Sequence, residues 1–247
     1  MIIKRMLNLD INDDFKRAII AQFFLMILVF VISILSAVED KVFFQISYLV
    51  ELLIIGFGFR FYFQAQKNRN YSFWTITLVV FIYLLFDVLK YTFVDYNILI
   101  LYVCFLALIF LSINCYIMSS PLFFPRVQWW EYDFRFRGDL KSIVHTDSEQ
   151  FKSRLTDVRR YSACIECFEF LPIDKKINIE VNFDNKNFNL PVIVKTSDRV
   201  VVGRPFRYGV KMDIEKEETK EKYLELLKIW NSNKKAKLRN KFTENEK

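Results

Sequence analysis

Long apolar segments fill the first half of the chain and are absent from the second half. They cover residues 18–38, 43–61, 72–94 and 98–118. Each has the length that an α-helix needs to cross a hydrocarbon core of about 30 Å. The pattern therefore predicts a bundle of four transmembrane helices, followed by a separate domain built from the remaining residues.

Short segments of alternating apolar and polar residues dominate the second half. They cover residues 140–145, 154–157, 163–170, 177–183, 188–197 and 207–212. Six short strands separated by turn residues predict a small antiparallel β-barrel or sandwich. A polar segment from residue 215 to about 239 carries apolar residues on one face. It predicts an amphipathic helix that closes one end of the barrel.

These patterns divide the chain into five parts. Residues 1–17 form an N-terminal segment, 18–118 the transmembrane region and 119–134 a juxtamembrane linker. Residues 135–239 form the β domain with its helix, and we predict that residues 240–247 are disordered.

Basic residues outnumber acidic ones, and the excess lies mainly after the last apolar segment. The whole chain has a net charge of +7, and the residues after 118 contribute 26 basic and 20 acidic side chains to it. Such a tail favours an anionic leaflet or an anionic ligand as partner. We expect neither DNA nor RNA as a partner, because no helix-turn-helix or zinc-finger pattern is present.

The distribution of basic residues also predicts the orientation in the membrane. Those of the N-terminal segment and of the second loop lie on one side: Lys4, Arg5, Lys16 and Arg17, then Arg60, Lys67 and Arg69. Positive charge gathers on the cytoplasmic side of membrane proteins. We therefore expect the N-terminus and the β domain to be cytoplasmic.

Three ionisable residues lie within the apolar segments. Glu51 is about eight residues, or roughly 12 Å, into the second segment, and Asp87 is at similar depth in the third. Lys90 lies one turn from Asp87. Because charges in a bilayer are costly and usually have a partner, we predict a cluster of the three in the outer half of the bundle. It serves either as a structural ion pair or as a ligand or proton site, unless Asp87 and Lys90 lie at headgroup level.

Catalytic and metal-binding patterns are not evident. Cys164 and Cys167 form a C-x-x-C, but three residues along a strand place the thiols on opposite faces. His145 is the only histidine and has no ligand companion at a suitable spacing. Without a Walker loop, G-x-S-x-G or H-E-x-x-H, we expect neither an enzyme nor a metal site.

Three segments of the tail carry a resemblance to a known family. Residues 206–212 read FRYGVKM and precede the predicted helix, residues 157–163 read DVRRYSA, and residues 137–141 read RGDLK. They resemble the PilZ domain, a six-stranded barrel of bacterial receptors for cyclic di-GMP, over about 105 residues from Arg135 onward. That family has R-x-x-x-R, D-x-S-x-x-G and a closing strand with aromatic-hydrophobic-G-[VI].

The chain departs from this pattern at three positions. Lys141 takes the place of the second arginine, or else Arg135 and Arg137 supply both guanidinium groups at a spacing that differs from the family's. Arg159 takes the place of the serine, and Ser162 that of the glycine. An arginine fork pairs with phosphate oxygens and with the guanine edge, whereas a lysine keeps only the charge. An added side chain at residue 162 stands where the family needs close approach to a base.

The resemblance implies a cyclic di-GMP site formed by Arg135, Arg137, Lys141, Asp157, Arg159, Arg160 and Ser162. The arginines also fit a purely electrostatic role beside the membrane or on the surface, and Asp157 also fits a turn role. The expected function is a receptor in the bacterial inner membrane that relays cyclic di-GMP binding to its helices or to a partner protein. The alternatives are a ligand-free scaffold with the same barrel and a small transporter centred on Glu51.

Overall fold

The computed structural model describes most of the chain. It covers residues 11–125, 137–146, 149–183, 186–198, 203–214 and 217–245. The chain divides into two compact units, residues 1–119 and residues 120–247. Each unit is described by itself below.

The first unit consists of four helices, as predicted. They are α1 (Ile11–Glu39), α2 (Ile46–Lys67), α3 (Ser72–Phe93) and α4 (Ile98–Met118). All four are long and apolar enough to cross a membrane. Helix α1 begins at Ile11, inside the segment predicted to precede the bundle, and α2 continues past Arg60 to Lys67. Both helices therefore extend beyond the apolar segments into polar residues.

Packing within the bundle is uneven. Helix α1 packs mainly against α4, where the rings of Phe24 and Phe110 stack with centroids 5.4 Å apart. Helix α2 contacts α1 and α3 less extensively, and many of its apolar side chains face outward, such as Leu53 at 62% exposure. An outward apolar surface is what lipid contact requires.

The second unit is a closed six-stranded antiparallel barrel with a C-terminal helix, which confirms the predicted fold class. The strands are β1 (Leu140–His145), β2 (Gln150–Arg159), β3 (Ser162–Cys167), β4 (Lys176–Phe183), β5 (Lys186–Asp198) and β6 (Phe206–Met212). Their order around the barrel is β1-β2-β3-β6-β5-β4, and β4 pairs with β1 to close it.

Strand β1 matches its prediction, and the other five strands differ from theirs at one or both ends. Strand β2 is longer than the predicted segment 154–157. A register shift between Leu155 and Asp157 interrupts the alternation of buried and exposed side chains by which a strand is recognised in sequence. Strand β3 ends at Cys167, so Phe168 and Phe170 lie beyond it.

Alternating side chains of the strands fill the barrel, and the helix covers it. Helix α5 (Glu217–Asn245) adds Tyr223, Leu226 and Trp230 to the same hydrophobic core. The helix continues to Asn245, so the prediction of disorder is wrong for residues 240–245. Neither proline nor glycine interrupts the sequence between Trp230 and Asn245, and most of these residues are good helix formers.

The start of the barrel unit also differs from the sequence interpretation. Residues 120–125 were assigned to a linker, yet they belong to the compact unit that contains the barrel. Leu122, Phe123 and Phe124 are all less than 9% exposed. Burial of three large apolar side chains explains why this segment packs as part of the domain rather than as a free connection.

Candidate functional site

The sheet pairing aligns polar residues of four neighbouring strands in rows. Pairing across β2, β3, β6 and β5 gives the Glu166 row, formed by Arg154, Glu166, Arg207 and Asp198. The next row, the Gly209 row, is formed by Asp157, Cys164, Gly209 and Thr196. Residues two apart along a strand lie about 7 Å apart on the same face. The two rows are therefore immediate neighbours.

Glu166 holds two guanidinium groups. Its Oε1 accepts a hydrogen bond from Arg207 Nε at 3.1 Å, and its Oε2 accepts one from Arg137 Nη2 at 3.1 Å. Arg137 Nε also lies 2.6 Å from Asp139 Oδ2. The carboxylate thus positions two guanidinium groups, and a guanidinium group can bind phosphate or guanine through two parallel hydrogen bonds.

A groove of about 1050 Å³ opens at this row, and we call it the Glu166 groove. Six cationic side chains line it: Arg137, Lys141, Lys152, Arg154, Arg204 and Arg207. Two carboxylates, Glu166 and Glu180, and the ring of Phe168 also line it. The groove therefore carries a positive charge excess, which favours an anionic occupant.

Glu180 is already engaged at its end of the groove. Its Oε2 lies 2.7 Å from His145 Nε2, and its Oε1 accepts hydrogen bonds from Asn187 and Asn182. The hydrogen bond with His145, followed by those from the two amides, lowers the pKa of this carboxyl below its usual value. His145, expected to be a packing or surface residue, thus orients a groove carboxylate.

The Gly209 row is covered by the chain itself. Residues 120–124, here called the covering segment, lie on it through their backbone. Thr196 Oγ1 donates to the Leu122 carbonyl oxygen at 2.7 Å and accepts from Gly209 N at 3.1 Å. A Cβ on Gly209 would lie 2.7 Å from Leu122 O and 2.8 Å from Leu122 Cα. Only glycine permits this approach.

Asp157 is buried beneath the covering segment and is paired. It is 2% exposed, and its Oδ2 accepts hydrogen bonds from Arg159 Nη2 at 2.7 Å and Nε at 3.0 Å. The same Arg159 Nη2 donates to Phe124 O at 3.2 Å. Arg159 thus ties the aspartate to the covering segment, and both groups are engaged within the protein.

Ser162, which takes the place of a glycine in the PilZ pattern, also contacts the covering segment. Its hydroxyl donates to Arg159 O at 2.6 Å and lies 3.3 Å from Ser120 Oγ. The neighbouring turn holds Arg160 and Tyr161 at φ values of 50° and 58°. These left-handed conformations are typical of a two-residue hairpin turn, where glycine or asparagine is usual.

The seven residues of the predicted nucleotide site therefore separate. Arg137 and Lys141 line the Glu166 groove, whereas Asp157, Arg159 and Ser162 lie at the covering segment. Arg160 is exposed in its turn, and Arg135 lies outside the described residues. The groove and the covered row are adjacent but distinct parts of one face.

The groove also contains residues that the sequence interpretation missed. Arg154 and Glu166 lie opposite each other on the consecutive strands β2 and β3, and Arg207 joins them because β3 pairs with β6, which is distant along the chain. The available signal was a charged residue, Glu166 or Arg207, within an otherwise largely apolar strand. The pairing of β3 with β6, which sequence alone did not supply, was needed to bring them together.

Within the bundle, Glu51 is hydrogen-bonded to neutral groups. Its Oε1 accepts from Ser33 Oγ at 3.2 Å and from Tyr83 Oη at 3.4 Å. These bonds join α2 to α1 and to α3. They give the glutamate a structural role that needs no cation.

Lys90 pairs with a residue outside the predicted cluster. Its Nζ lies 2.7 Å from Asp40 Oδ2, at the end of α1, rather than pairing with Asp87. Asp87 is 6% exposed, and its Oδ2 has no hydrogen-bond partner among the described residues. The long side chain of Lys90 reaches toward the bundle end because the charge is less costly there.

A second polar group in the bundle was not predicted. Gln66 Nε2 donates to Asn114 Oδ1 at 3.2 Å, and both residues are fully buried. Gln22 is also fully buried, and neither its Nε2 nor its Oε1 has a partner in the described part of the chain. These amides carry no charge, so the prediction of an intramembrane cluster from ionisable residues did not include them.

The two cysteines of the C-x-x-C lie on opposite faces of β3, as predicted. Cys167 belongs to the hydrophobic core, and Cys164 belongs to the Gly209 row. Burial raises the pKa of Cys164 to about 12 and that of Cys167 to about 11. In the part of the chain that the structure describes, no group of three or more His, Cys, Asp or Glu side chains could hold a metal.

No protein-family model matches this chain, and no curated protein matches it in sequence. Function is therefore inferred from the fold and from the chemistry of the barrel face.

Proposed function

We propose that the protein is a membrane-anchored receptor whose barrel binds a phosphate-bearing ligand in the Glu166 groove, with cyclic di-GMP as the leading candidate. One observation carries the proposal: two arginine forks converge on Glu166 in a groove with six cationic side chains and two carboxylates. The role is binding and relay rather than catalysis.

The chemistry of the groove suits both halves of such a ligand. Arginine forks bind phosphate oxygens in pairs and also recognise the O6 and N7 atoms of guanine. A carboxylate accepts hydrogen bonds from the guanine N1 and N2 donors, and Glu166 and Glu180 offer this group in the groove. A phosphate that enters beside Glu166 would accept hydrogen bonds from the guanidinium group of Arg137 or Arg207. That arginine would then be bonded to the ligand in place of Glu166.

The orientation follows from the charges at the helix ends. Lys16 and Arg17 lie in the first turns of α1, and Lys67 and Arg69 lie at the end of α2. Positive charge on this side favours a barrel on the cytoplasmic side of a bacterial inner membrane.

The covering segment supports a relay from the groove. It follows the last residues of α4 directly in sequence, and it is hydrogen-bonded to the row next to Glu166. A ligand that shifts the strands at Glu166 also changes the surface on which Leu122 lies. Relay to the helices or to a membrane partner protein would then pass through residues 120–124.

A second candidate function is a ligand-free interaction module. The observation that favours it is that Asp157 is buried and paired with Arg159, which also donates to Phe124 O of the covering segment. If a nucleotide must contact Asp157, this arrangement excludes it until the covering segment leaves.

Titration of the full chain in lipid nanodiscs with cyclic di-GMP tests the proposal. We expect saturable binding that weakens as salt rises and that is lost in Arg137→Ala and Arg207→Ala. Arg239→Ala, which removes an exposed arginine of α5 outside the groove, is the matched control and should bind normally. Absence of binding by the folded wild-type chain would overturn the receptor proposal and favour the interaction module.

A further inference from the structure

Two exposed phenylalanines follow strand β3 at the edge of the site. Phe168 and Phe170 are each 68% exposed. Large aromatic side chains contribute most to binding when they are presented outward in this way. Their position beside a cationic groove therefore calls for a functional explanation.

The backbone that carries these rings is fixed from inside the barrel. The hydroxyl of Tyr208, a fully buried residue, donates to Glu169 O at 2.9 Å and accepts from Leu171 N at 3.0 Å. The segment between the two rings is thus anchored, although the rings themselves are exposed. A ligand that contacts them loses little free energy to ordering the chain.

The two rings differ in where they lie. Phe168 lines the Glu166 groove with Arg204 and Arg207. Phe170 is not part of that lining and instead packs edge-to-face against Phe206, with ring centroids 6.2 Å apart. Of the two phenylalanines, only Phe168 therefore adds an aromatic side chain to the residues that line the cationic groove.

We propose that Phe168 is a stacking platform for a purine base, so that the Glu166 groove binds a nucleotide by base and phosphate together. The inference rests on the proposed function and concerns the flat face of the base, whereas the arginine forks contact the phosphates and the base edge. Stacking on an aromatic ring needs no specific edge contacts, because every base has a π-face. The arginines then hold the phosphates, and Phe168 holds the base.

The charge of the groove favours this occupant over an apolar segment of another protein. The six cationic side chains outnumber the two carboxylates of the groove, so an apolar partner would cover this excess of positive charge without neutralising it. A nucleotide satisfies both features, since its phosphates meet the cations and its base meets the ring.

The experiment compares Phe168→Ala with Phe170→Ala in the full chain in nanodiscs, titrated with cyclic di-GMP. The two variants are matched, because the residues have equal exposure and lie two positions apart. We expect Phe168→Ala to weaken binding about tenfold, the factor that corresponds to about 1.4 kcal/mol of stacking. Phe170→Ala should bind like the wild type, and Phe168→Trp should retain binding. The salt dependence of the remaining affinity in Phe168→Ala should match the wild type, because phosphate contacts set it.

Three results would overturn the inference in different ways. Binding by the wild type with equal affinity in Phe168→Ala would remove the stacking role and leave the receptor function intact. Equal weakening in both variants would show that the segment after β3, rather than the Phe168 ring, matters. Absence of binding by the wild type would remove the receptor function itself.

Discussion

Gly209 and Leu122 are in backbone contact: a Cβ on Gly209 would lie 2.7 Å from the Leu122 carbonyl oxygen and 2.8 Å from its Cα. This contact attaches the segment that follows α4 to the outer face of β6. Because these two Leu122 atoms belong to the backbone, a change of side-chain rotamer could not relieve the clash that a Cβ on Gly209 would make.

Gly209→Ala should release the covering segment. The added methyl group meets Leu122 backbone and Thr196 Oγ1, and overpacking of this kind costs about 1–3 kcal/mol. Hydrogen exchange of the Leu122, Phe123 and Phe124 amides should become faster, as measured by mass spectrometry on the full chain. Gly58→Ala is the control, because no atom lies within 4 Å of a Cβ built at Gly58. Unchanged exchange in Gly209→Ala would contradict the contact.

Thr196→Val should loosen the same segment by a different route. The valine keeps the shape but leaves the Leu122 carbonyl and the Gly209 N–H without their shared partner. Each buried group left unpaired costs about 1–3 kcal/mol. Thermal unfolding should occur at a lower temperature in Thr196→Val than in Thr196→Ser, which retains the hydroxyl. Equal melting temperatures for the two variants would argue against the hydrogen-bonded bridge.

Asp157→Ala should destabilise the barrel even when no ligand is present. It leaves the partly buried Arg159 guanidinium without its carboxylate, and we expect a loss of about 2 kcal/mol. Glu225→Ala removes an exposed ion pair with Lys186 and should cost less than about 1 kcal/mol. Both are measured by denaturant or thermal unfolding of the full chain. A neutral Asp157→Ala would mean that the aspartate is kept for a ligand rather than for the fold.

The thiols of Cys164 and Cys167 should resist alkylation in the folded protein. Burial raises their pKa values to about 12 and about 11, so neither forms much thiolate at pH 8. In the unfolded chain both ionise near the ordinary value of about 8.5. They therefore contribute stability below that pH, and this contribution is lost as pH rises. Residue-resolved mass spectrometry after iodoacetamide treatment, with and without denaturant, checks the prediction. Rapid native labelling at either cysteine would contradict it.

Gln22→Leu and Gln66→Leu should act in opposite directions in the bundle. Gln22 is buried, and neither of its side-chain polar atoms has a hydrogen-bond partner among the described residues, so leucine removes a cost and should maintain or raise thermal stability. Gln66→Leu leaves Asn114 Oδ1 without its donor and should lower stability by about 0.6 kcal/mol or more. Unfolding of both variants in the same detergent gives the comparison. Stabilisation by both would indicate that the amide pair contributes nothing.

The sequence pattern was informative wherever a feature is local. Helix α4 and strand β1 begin and end at the predicted residues, because their apolar periodicity is uninterrupted and flanked by polar turns. The departures from the family motif were also visible locally. They drew attention to Arg159 and Ser162 as ligand residues, whereas the structure shows both hydrogen-bonded to the covering segment.

Features that depend on pairing between distant residues were not accessible from sequence. Leu122 lies in the predicted juxtamembrane linker, and only its contact with Gly209 reveals that it covers β6. Arg137 and Arg207 meet on Glu166 although they are 70 residues apart in the chain. Lys90 pairs with Asp40 because α1 and α3 end at the same side of the bundle.

The closure of the barrel limits how other proteins can associate with it. Strand β4 pairs with β1, so none of the six described strands presents an open edge. An extended peptide cannot join this sheet as a further strand, and neighbouring copies cannot pair edge to edge. Recognition of the barrel, by a partner or by another copy, must therefore read its side chains and helix α5 instead of its main chain.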